Sequence, residues 1–336
     1  MKDWKKLKAL LGIPQKICLV SHPSPDGDSI GSSLAMYWFL IQKKHKVSII
    51  TPDTPPKFLS FLEGFNQIID FEKNREEVET SIEEASIIFC LDFNNLSRLR
   101  GLSDVLKQNE SAFLVNIDHH QDPEDFAHFQ FCFPGTSSTA ELVYRFIEEL
   151  GDIELLNKAI AAAMYTGIVT DTGSFKFSST EASTHRVAAK LIETGIIPNL
   201  IHQNIFDSYS KDRLKLLGFA LNERLIFHDQ WNTAVIYLSE SDLSNFNYQK
   251  GDTEGLVNYP LSIENIKFSI LITEGENKVK LSLRSKGNFP ANKVAETHFS
   301  GGGHINAAGG ISDCSVEDTL VKIEKLLPNY ENELHA

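Results

Sequence analysis

Phe113-Leu114-Val115-Asn116-Ile117-Asp118-His119-His120 is a short apolar run that ends in a carboxylate and two imidazoles. Its β-branched and aromatic residues predict a buried strand over 113–117, with the polar triplet just past its carboxyl end. Two earlier runs end in the same way. The run 17–20 leads into Ser21-His22-Pro23-Ser24-Pro25-Asp26-Gly27-Asp28, and the run 87–91 leads into Asp92. Amphipathic segments at 29–44, 73–84 and 101–108 alternate with these runs and with a further one at 47–50. Such alternation predicts an α/β fold of βαβ units, a mostly parallel sheet with helices on both faces. In open sheets of this kind ligands bind at the carboxyl ends of the strands, where all three polar groups fall.

Helical patterns follow at 137–150, 154–169 and 181–194, the second carrying the small-residue run 159–163. The segment 198–221 reads as a helical connector. Beyond it the pattern changes to strands at 233–238, 266–273 and 278–284, with Glu274-Gly275-Glu276-Asn277 as a hairpin turn and helices near 290–298 and 315–327. The organisation expected is therefore an α/β domain over 1–197, the connector 198–221 and a smaller α+β domain over 222–336.

At 336 residues the chain exceeds the usual size of one domain. Lysine and arginine number 32 against 45 acidic residues, a formal charge of −13. That balance argues against tight tracking of long duplex nucleic acid. A small anionic substrate must then be held by local charge. Cys18, Cys90, Cys132 and Cys314 form no C-x-x-C pair and read as reduced thiols. Pro14 and Lys16 break the N-terminal apolar stretch before it reaches the length of a signal-peptide core, and no run approaches a membrane span. A cytoplasmic protein without membrane partners is expected. The oligomeric state stays open, a homodimer included.

Each polar group alone has an ordinary explanation. Asp26-Gly27-Asp28 is good turn chemistry and a good N-cap, Asp92 followed by two asparagines can begin a loop, and a histidine pair is often a satisfied surface or core group. Their convergence on one sheet edge is harder to explain without a cation, because clustered carboxylates are costly to desolvate. Asp171 adds a further acid at the end of the small-residue helix, where the helix dipole disfavours it.

These residues resemble the DHH phosphoesterases with a C-terminal DHHA1 domain, in the nanoRNase and 3′-phosphoadenosine-5′-phosphate (pAp) phosphatase branch. The resemblance is carried by His22-x-x-x-Asp26-Gly27-Asp28, Asp92, Asp118-His119-His120, Asp171-Thr172-Gly173, Gly301-Gly302-Gly303-His304 and Ala307-Ala308-Gly309, in that order over nearly the whole chain. It implies one metal on His22, Asp26 and Asp92 and a second on Asp28, Asp92, His119 and Asp171, with Asp92 bridging. Mn²⁺ is the expected ion, with Mg²⁺, Co²⁺ and Zn²⁺ as alternatives. Two such ions activate a bridging water for in-line attack on phosphorus. His120 would then hydrogen-bond a phosphate oxygen or protonate the departing alkoxide, and Asp118 would orient an imidazole.

In the second half, the three glycines of 301–303 are expected to precede a short helical stretch and to present backbone N–H groups to an anion. Taken alone, a triple glycine is as readily a flexible turn. The resemblance implies that Gly302, Gly303, His304 and Arg284 recognise the nucleotide across an interdomain cleft. Lys286 is expected to be solvated, and Arg98 either reaches the substrate or anchors its own loop. The activity implied is hydrolysis of dinucleotides such as pApA or pGpG to mononucleotides, and of pAp to AMP. Hydrolysis of pyrophosphate or polyphosphate, and nucleotide sensing without catalysis, are the alternatives.

Overall fold

The computed structural model describes residues 3–275 and 278–335. The chain forms two compact units, residues 1–208 and 209–336. In chain order the first contains α1 (Trp4–Leu11), β1 (Lys16–Ser21), α2 (Gly27–Gln42), β2 (Lys46–Thr51), β3 (Ile68–Asp70), α3 (Arg75–Glu84), β4 (Ile87–Leu91), α4 (Leu102–Gln108), β5 (Phe113–Asp118), β6 (Phe129–Cys132), α5 (Thr139–Leu150), α6 (Lys158–Asp171), α7 (Ala182–Glu193) and α8 (Pro198–Phe206).

Its six strands lie in the order β3-β2-β1-β4-β5-β6, and every pairing is parallel. Alternate residues of the central strands serve opposite faces. Ile17, Leu19, Phe89, Val115 and Ile117 pack towards α2, α5 and α6, while Cys18, Val20, Ile88 and Cys90 pack towards α3 and α4. This two-sided burial is why the strands read as continuous apolar runs. Burial pushes the Cys18 thiol up to about 12, so it serves the core as a small apolar group.

The strand order reverses direction between β1 and β4, so the loops leaving those neighbours diverge and open a crevice at the carboxyl edge. The strands β3 and β6 and the helix α1 were not apparent in the sequence. Both strands are short, of three and four residues. Helix α5 starts at Thr139, because Ser138 is its N-cap and accepts from the Glu141 backbone N–H. Helix α6 starts at Lys158 behind an Asn157 cap and runs on to Asp171. Its small residues bring α2 close: a Cβ on Gly31 would stand 2.5 Å from the Ala163 carbonyl oxygen.

The second unit contains α9 (Lys211–Glu223), β7 (Leu225–His228), β8 (Thr233–Leu238), α10 (Glu240–Asn245), β9 (Phe268–Glu274), β10 (Val279–Ser285), α11 (Ala291–His298), β11 (Gly302–His304), β12 (Ala307–Ser312), α12 (Val316–Leu326) and α13 (Glu331–His335). The sheet order is β11-β12-β10-β9-β8-β7, with β8 and β9 parallel and the other pairs antiparallel. The segment 198–221 resolves into α8, which packs on α6 in the first unit, and α9, which packs on β7 and β8 in the second. The hairpin turn expected at 274–277 lies partly outside the described residues, at Glu276 and Asn277, but β9 and β10 pair antiparallel up to Glu274 and Val279.

One expectation fails here. No helix follows the triple glycine; residues 302–304 form β11 and turn back into β12. Close strand approach explains the glycines: a Cβ on Gly301 would fall 2.0 Å from the Gly309 carbonyl oxygen, and one on Gly303, whose φ is +147°, 2.5 Å from that of Ala307. No helix among the described residues is long and apolar enough to cross a membrane.

Candidate metal centre

The carboxyl edge of the first sheet gathers residues from four separate stretches. His22 follows β1, and its ring Nδ1–H donates to the Pro23 carbonyl at 2.8 Å. That contact turns Nε2 towards Asp92 Oδ2 at 3.3 Å and Asp26 Oδ1 at 3.9 Å. Asp26 is also the N-cap of α2, its Oδ1 accepting from the backbone N–H groups of Asp28 and Ser29. The capping role and the place in the acidic cluster thus coexist. The loop between them is held by Asp53, whose Oδ1 accepts from the Ser24 backbone N–H at 2.7 Å, with Ser24 in the left-handed region at φ +53°.

Asp92, directly after β4, is 2 % exposed and has φ +67°, a costly conformation for a non-glycine residue. His119 Nε2 lies 3.5 Å from Asp92 Oδ1, 3.5 Å from Asp171 Oδ2 and 3.8 Å from Asp28 Oδ2. Its Nδ1–H donates to the Thr136 carbonyl at 3.0 Å, which turns Nε2 towards the carboxylates. His120 Nδ1–H donates to Asp118 Oδ1 at 2.7 Å. Asp118 is itself fully buried.

The acids support one another poorly unless a positive charge joins them. Burial, followed by the charges of Asp92 and Asp171, raises the Asp28 carboxyl well above its ordinary range. Burial opposes protonation of His22, yet the hydrogen bond to Asp92 and the charges of Asp26 and Asp92 outweigh it and raise that ring to about 9, with Arg98 acting in the opposite sense. His119 is likewise raised by Asp92 and Asp28 against its burial. Burial works to raise Asp92, but the His22 contact and the nearby imidazoles hold it below the usual carboxylate range. The acids favour positive charge on the His22 and His119 rings, and a divalent ion suits the same demand.

Donor atoms of His22, Asp26 and Asp92 lie within 4.8 Å of one another, as do those of Asp28, His119 and Asp171, and those of Asp92, Asp118 and His120. Mixed carboxylate and imidazole sets of this kind suit a first-row divalent metal. The residues behind them were not apparent from sequence. The Thr139 backbone N–H donates to Asp28 Oδ2 at 2.6 Å, that of Ala140 to Asp28 Oδ1 at 2.8 Å, and the Thr139 hydroxyl to Asp92 Oδ1 at 2.9 Å. The N-terminus of α5 therefore faces buried carboxylates, as its dipole favours. Ser138-Thr139 in front of an amphipathic run is the one signal available, and such a pair by itself marks no more than a helix cap.

Arg98 sits on an exposed turn after β4. That turn is anchored by others: Asn94 donates to the Gln121 carbonyl, and Asn95 joins Ser97 to Glu124. In the second unit, Arg284 of β10 and His304 of β11 both stand opposite Ala307 of β12, so the two share one row and one face of the sheet with a small residue between them. Arg284 Nη1 donates to the Leu283 carbonyl at 2.9 Å. The Lys286 ammonium is tied down rather than simply solvated, donating to the Ile263 carbonyl at 2.7 Å.

Residues 16–168 match the N-terminal domain of the DHH family, and residues 232–328 match the DHHA1 domain. Over 314 residues the chain is 32 % identical to the bifunctional oligoribonuclease and PAP phosphatase NrnA of Thermus thermophilus, spanning 91 % of this chain and 88 % of that one. The chain belongs to the DHH family. A second DHH relative, the bifunctional oligoribonuclease and PAP phosphatase NrnA of Bacillus subtilis, is 25 % identical over 94 % of this chain and 96 % of its own. Among solved structures, an exopolyphosphatase-related protein from Bacteroides fragilis is 38 % identical with a TM-score of 0.94, covering 99 % of this chain and 97 % of that one.

Proposed function

We propose that this DHH protein is a metal-dependent phosphoesterase that hydrolyses short oligoribonucleotides, such as pApA and pGpG, to mononucleotides and converts pAp to AMP. The observation that carries the reading is the gathering of Asp28, Asp92, Asp171, His22 and His119 around one crevice, each too buried or too close to its neighbours to be a solvated surface group. Similarity along nearly the full length to two oligoribonuclease and PAP phosphatases supports the choice of substrate.

In this reading His22, Asp26 and Asp92 hold one divalent ion, Asp28, Asp92, His119 and Asp171 hold a second, and Mn²⁺ is the expected metal. When bound, such a pair supplies an acidified water as nucleophile and neutralises charge on the phosphoryl oxygens. The chain's own groups do the rest. Thr136 fixes the His119 tautomer, and Thr139 and Ala140 fix the Asp28 carboxylate. Asp118 orients the His120 ring so that Nε2 carries the hydrogen bond, or the proton, for the departing oxygen. Arg98, on a turn that others anchor, contributes a guanidinium to a substrate phosphate. Arg284 and His304 take the nucleotide in the second unit. The buried thiols of Cys18 and Cys90 fit a reducing, cytoplasmic setting.

A panel of pApA, pGpG, pAp and pyrophosphate with added Mn²⁺, scored by products, tests this. Conversion of the dinucleotides to mononucleotides is expected, with Asp92→Ala inactive but folded. Turnover of pyrophosphate alone would transfer the site to the pyrophosphatase reading, and turnover of nothing by the metal-loaded protein would leave only nucleotide binding.

A further inference from the structure

Glu141 is a buried carboxylate, 1 % exposed, in the first turn of α5, and its side-chain hydrogen bonds go to Ser137 and Thr184 rather than to the residues assigned above to metal or substrate. One of its oxygens, Oε2, accepts two hydroxyls, from Ser137 at 2.6 Å and from Thr184 at 2.8 Å. Its backbone N–H donates to the Ser138 cap. Thr184 lies in the first turn of α7, where its hydroxyl also accepts from the Glu181 backbone N–H. An apolar side chain would fill this place without the cost of desolvating a carboxyl group, so packing alone does not account for it.

The position of Ser137 gives the group its meaning. The stretch 136–140 carries the outer partners of three candidate ligands: the Thr136 carbonyl for His119, the Thr139 hydroxyl for Asp92, and two backbone N–H groups for Asp28. The Glu141 side chain folds back to grip that stretch at its second residue and ties it to α7. Helix α7 in turn follows the turn leaving Asp171, where Gly173, Ser174 and Phe175 all have positive φ. Glu141 therefore sits between the mountings of four ligands.

We propose that Glu141 is a positioning residue for the metal centre, holding the 136–140 stretch through Ser137 and its register against α7 through Thr184. The inference rests on the metal reading given above. Outer partners of metal ligands typically set affinity by about 10–100-fold. The test is calorimetric titration of the full-length, metal-free protein with Mn²⁺ alone, alongside its thermal midpoint and the kcat and KM for pApA at saturating Mn²⁺. Glu141→Ala and Ser137→Ala are expected to weaken Mn²⁺ binding by roughly 10-fold or more, with kcat at saturating metal much less affected. Glu141→Gln is expected to restore most of the affinity, since its amide oxygen still accepts both hydroxyls. Should Glu141→Ala not fold, Ser137→Ala decides. Wild-type Mn²⁺ affinity in Ser137→Ala and in every folded Glu141 variant, even with lowered thermal midpoints, would reduce Glu141 to a structural group and overturn the proposal. A wild-type protein that binds no Mn²⁺ would instead overturn the metal reading itself, and this proposal with it.

Discussion

The Thr139 hydroxyl donates to Asp92 Oδ1 at 2.9 Å, joining the first residue of α5 to the end of β4. Asp92 is buried and lies close to both His22 and His119, so the direction of its carboxylate decides whether the two donor sets share a ligand. Thr139→Val keeps the shape and removes the donor. Its expected effect is a fall of about 10–100-fold in Mn²⁺ affinity, together with a stability loss of roughly 1–3 kcal/mol in the metal-free protein from the unsatisfied carboxylate oxygen. Calorimetric titration and chemical denaturation measure the two effects separately. Unchanged affinity would show that the Asp92 geometry is set elsewhere.

Gly167 lets α6 approach both Ala140 and the Asp28 carboxylate. A Cβ there would stand 2.6 Å from the Ala140 Cβ and 2.7 Å from Asp28 Oδ1, so Gly167→Ala pushes α5 and the Asp28 carboxylate together from one point. Overpacking of this kind costs about 1–3 kcal/mol. Activity is expected to fall more steeply than stability does, because Asp28 must move to relieve the clash. A variant that keeps wild-type activity while losing stability would show that the clash is relieved away from Asp28.

Much of this arrangement was legible in the sequence, for a definite reason. Strands buried on both faces must be apolar throughout, so β1, β4 and β5 stand out, and the acids directly behind them fall at the sheet edge without any knowledge of contacts. What was hidden depends on tertiary neighbours. Thr139, Ser137 and Glu141 read as an ordinary helix start, since a capping serine looks the same whether its helix ends on solvent or on buried carboxylates. The glycines of 301–303 misled because close strand approach and anion cradling call for the same residue. Three- and four-residue strands such as β3 and β6 carry too short a pattern to separate from loop.

Stability should depend on metal. A ligand present at 100 times its dissociation constant stabilises the folded state by about 2.7 kcal/mol. In a unit of this size that corresponds to a rise in midpoint of roughly 5–10 °C. Differential scanning calorimetry of the protein with a chelator and then with Mn²⁺ is expected to show the rise, and Asp92→Ala to lose most of it. An equal rise in Asp92→Ala would locate the ion somewhere else.

Arg284 and His304 flank Ala307 on one face of the second sheet, and the role proposed for the pair is to take the nucleotide. For Arg284→Ala the expected outcome is a KM for pApA raised by about 10-fold or more, the loss associated with a charge-assisted hydrogen bond, with kcat at saturating substrate nearly retained. Arg284→Lys should recover only part of it, since an ammonium cannot form the two-point contact. Steady-state kinetics decide the matter, and a loss confined to kcat would place Arg284 in the reaction itself.

His45 provides a pH dependence remote from the metal centre. It is 4 % exposed, and its Nδ1 accepts from the Gln15 backbone N–H at 3.1 Å. Burial, with the charge of Lys43, lowers its pKa, so the folded protein holds the ring neutral. In the unfolded chain it titrates near the ordinary value of about 6.5. Below that pH the unfolded state takes up a proton that the folded state refuses, so the stabilisation is complete above about 6.5 and is lost as the pH falls towards the folded value. His45→Gln retains an acceptor for Gln15 but cannot titrate. Between pH 8 and pH 5.5 wild type should therefore lose more stability than the variant, as measured by urea denaturation at each pH with chelator present. Parallel pH profiles for the two proteins would show that the ring accepts its proton without unfolding.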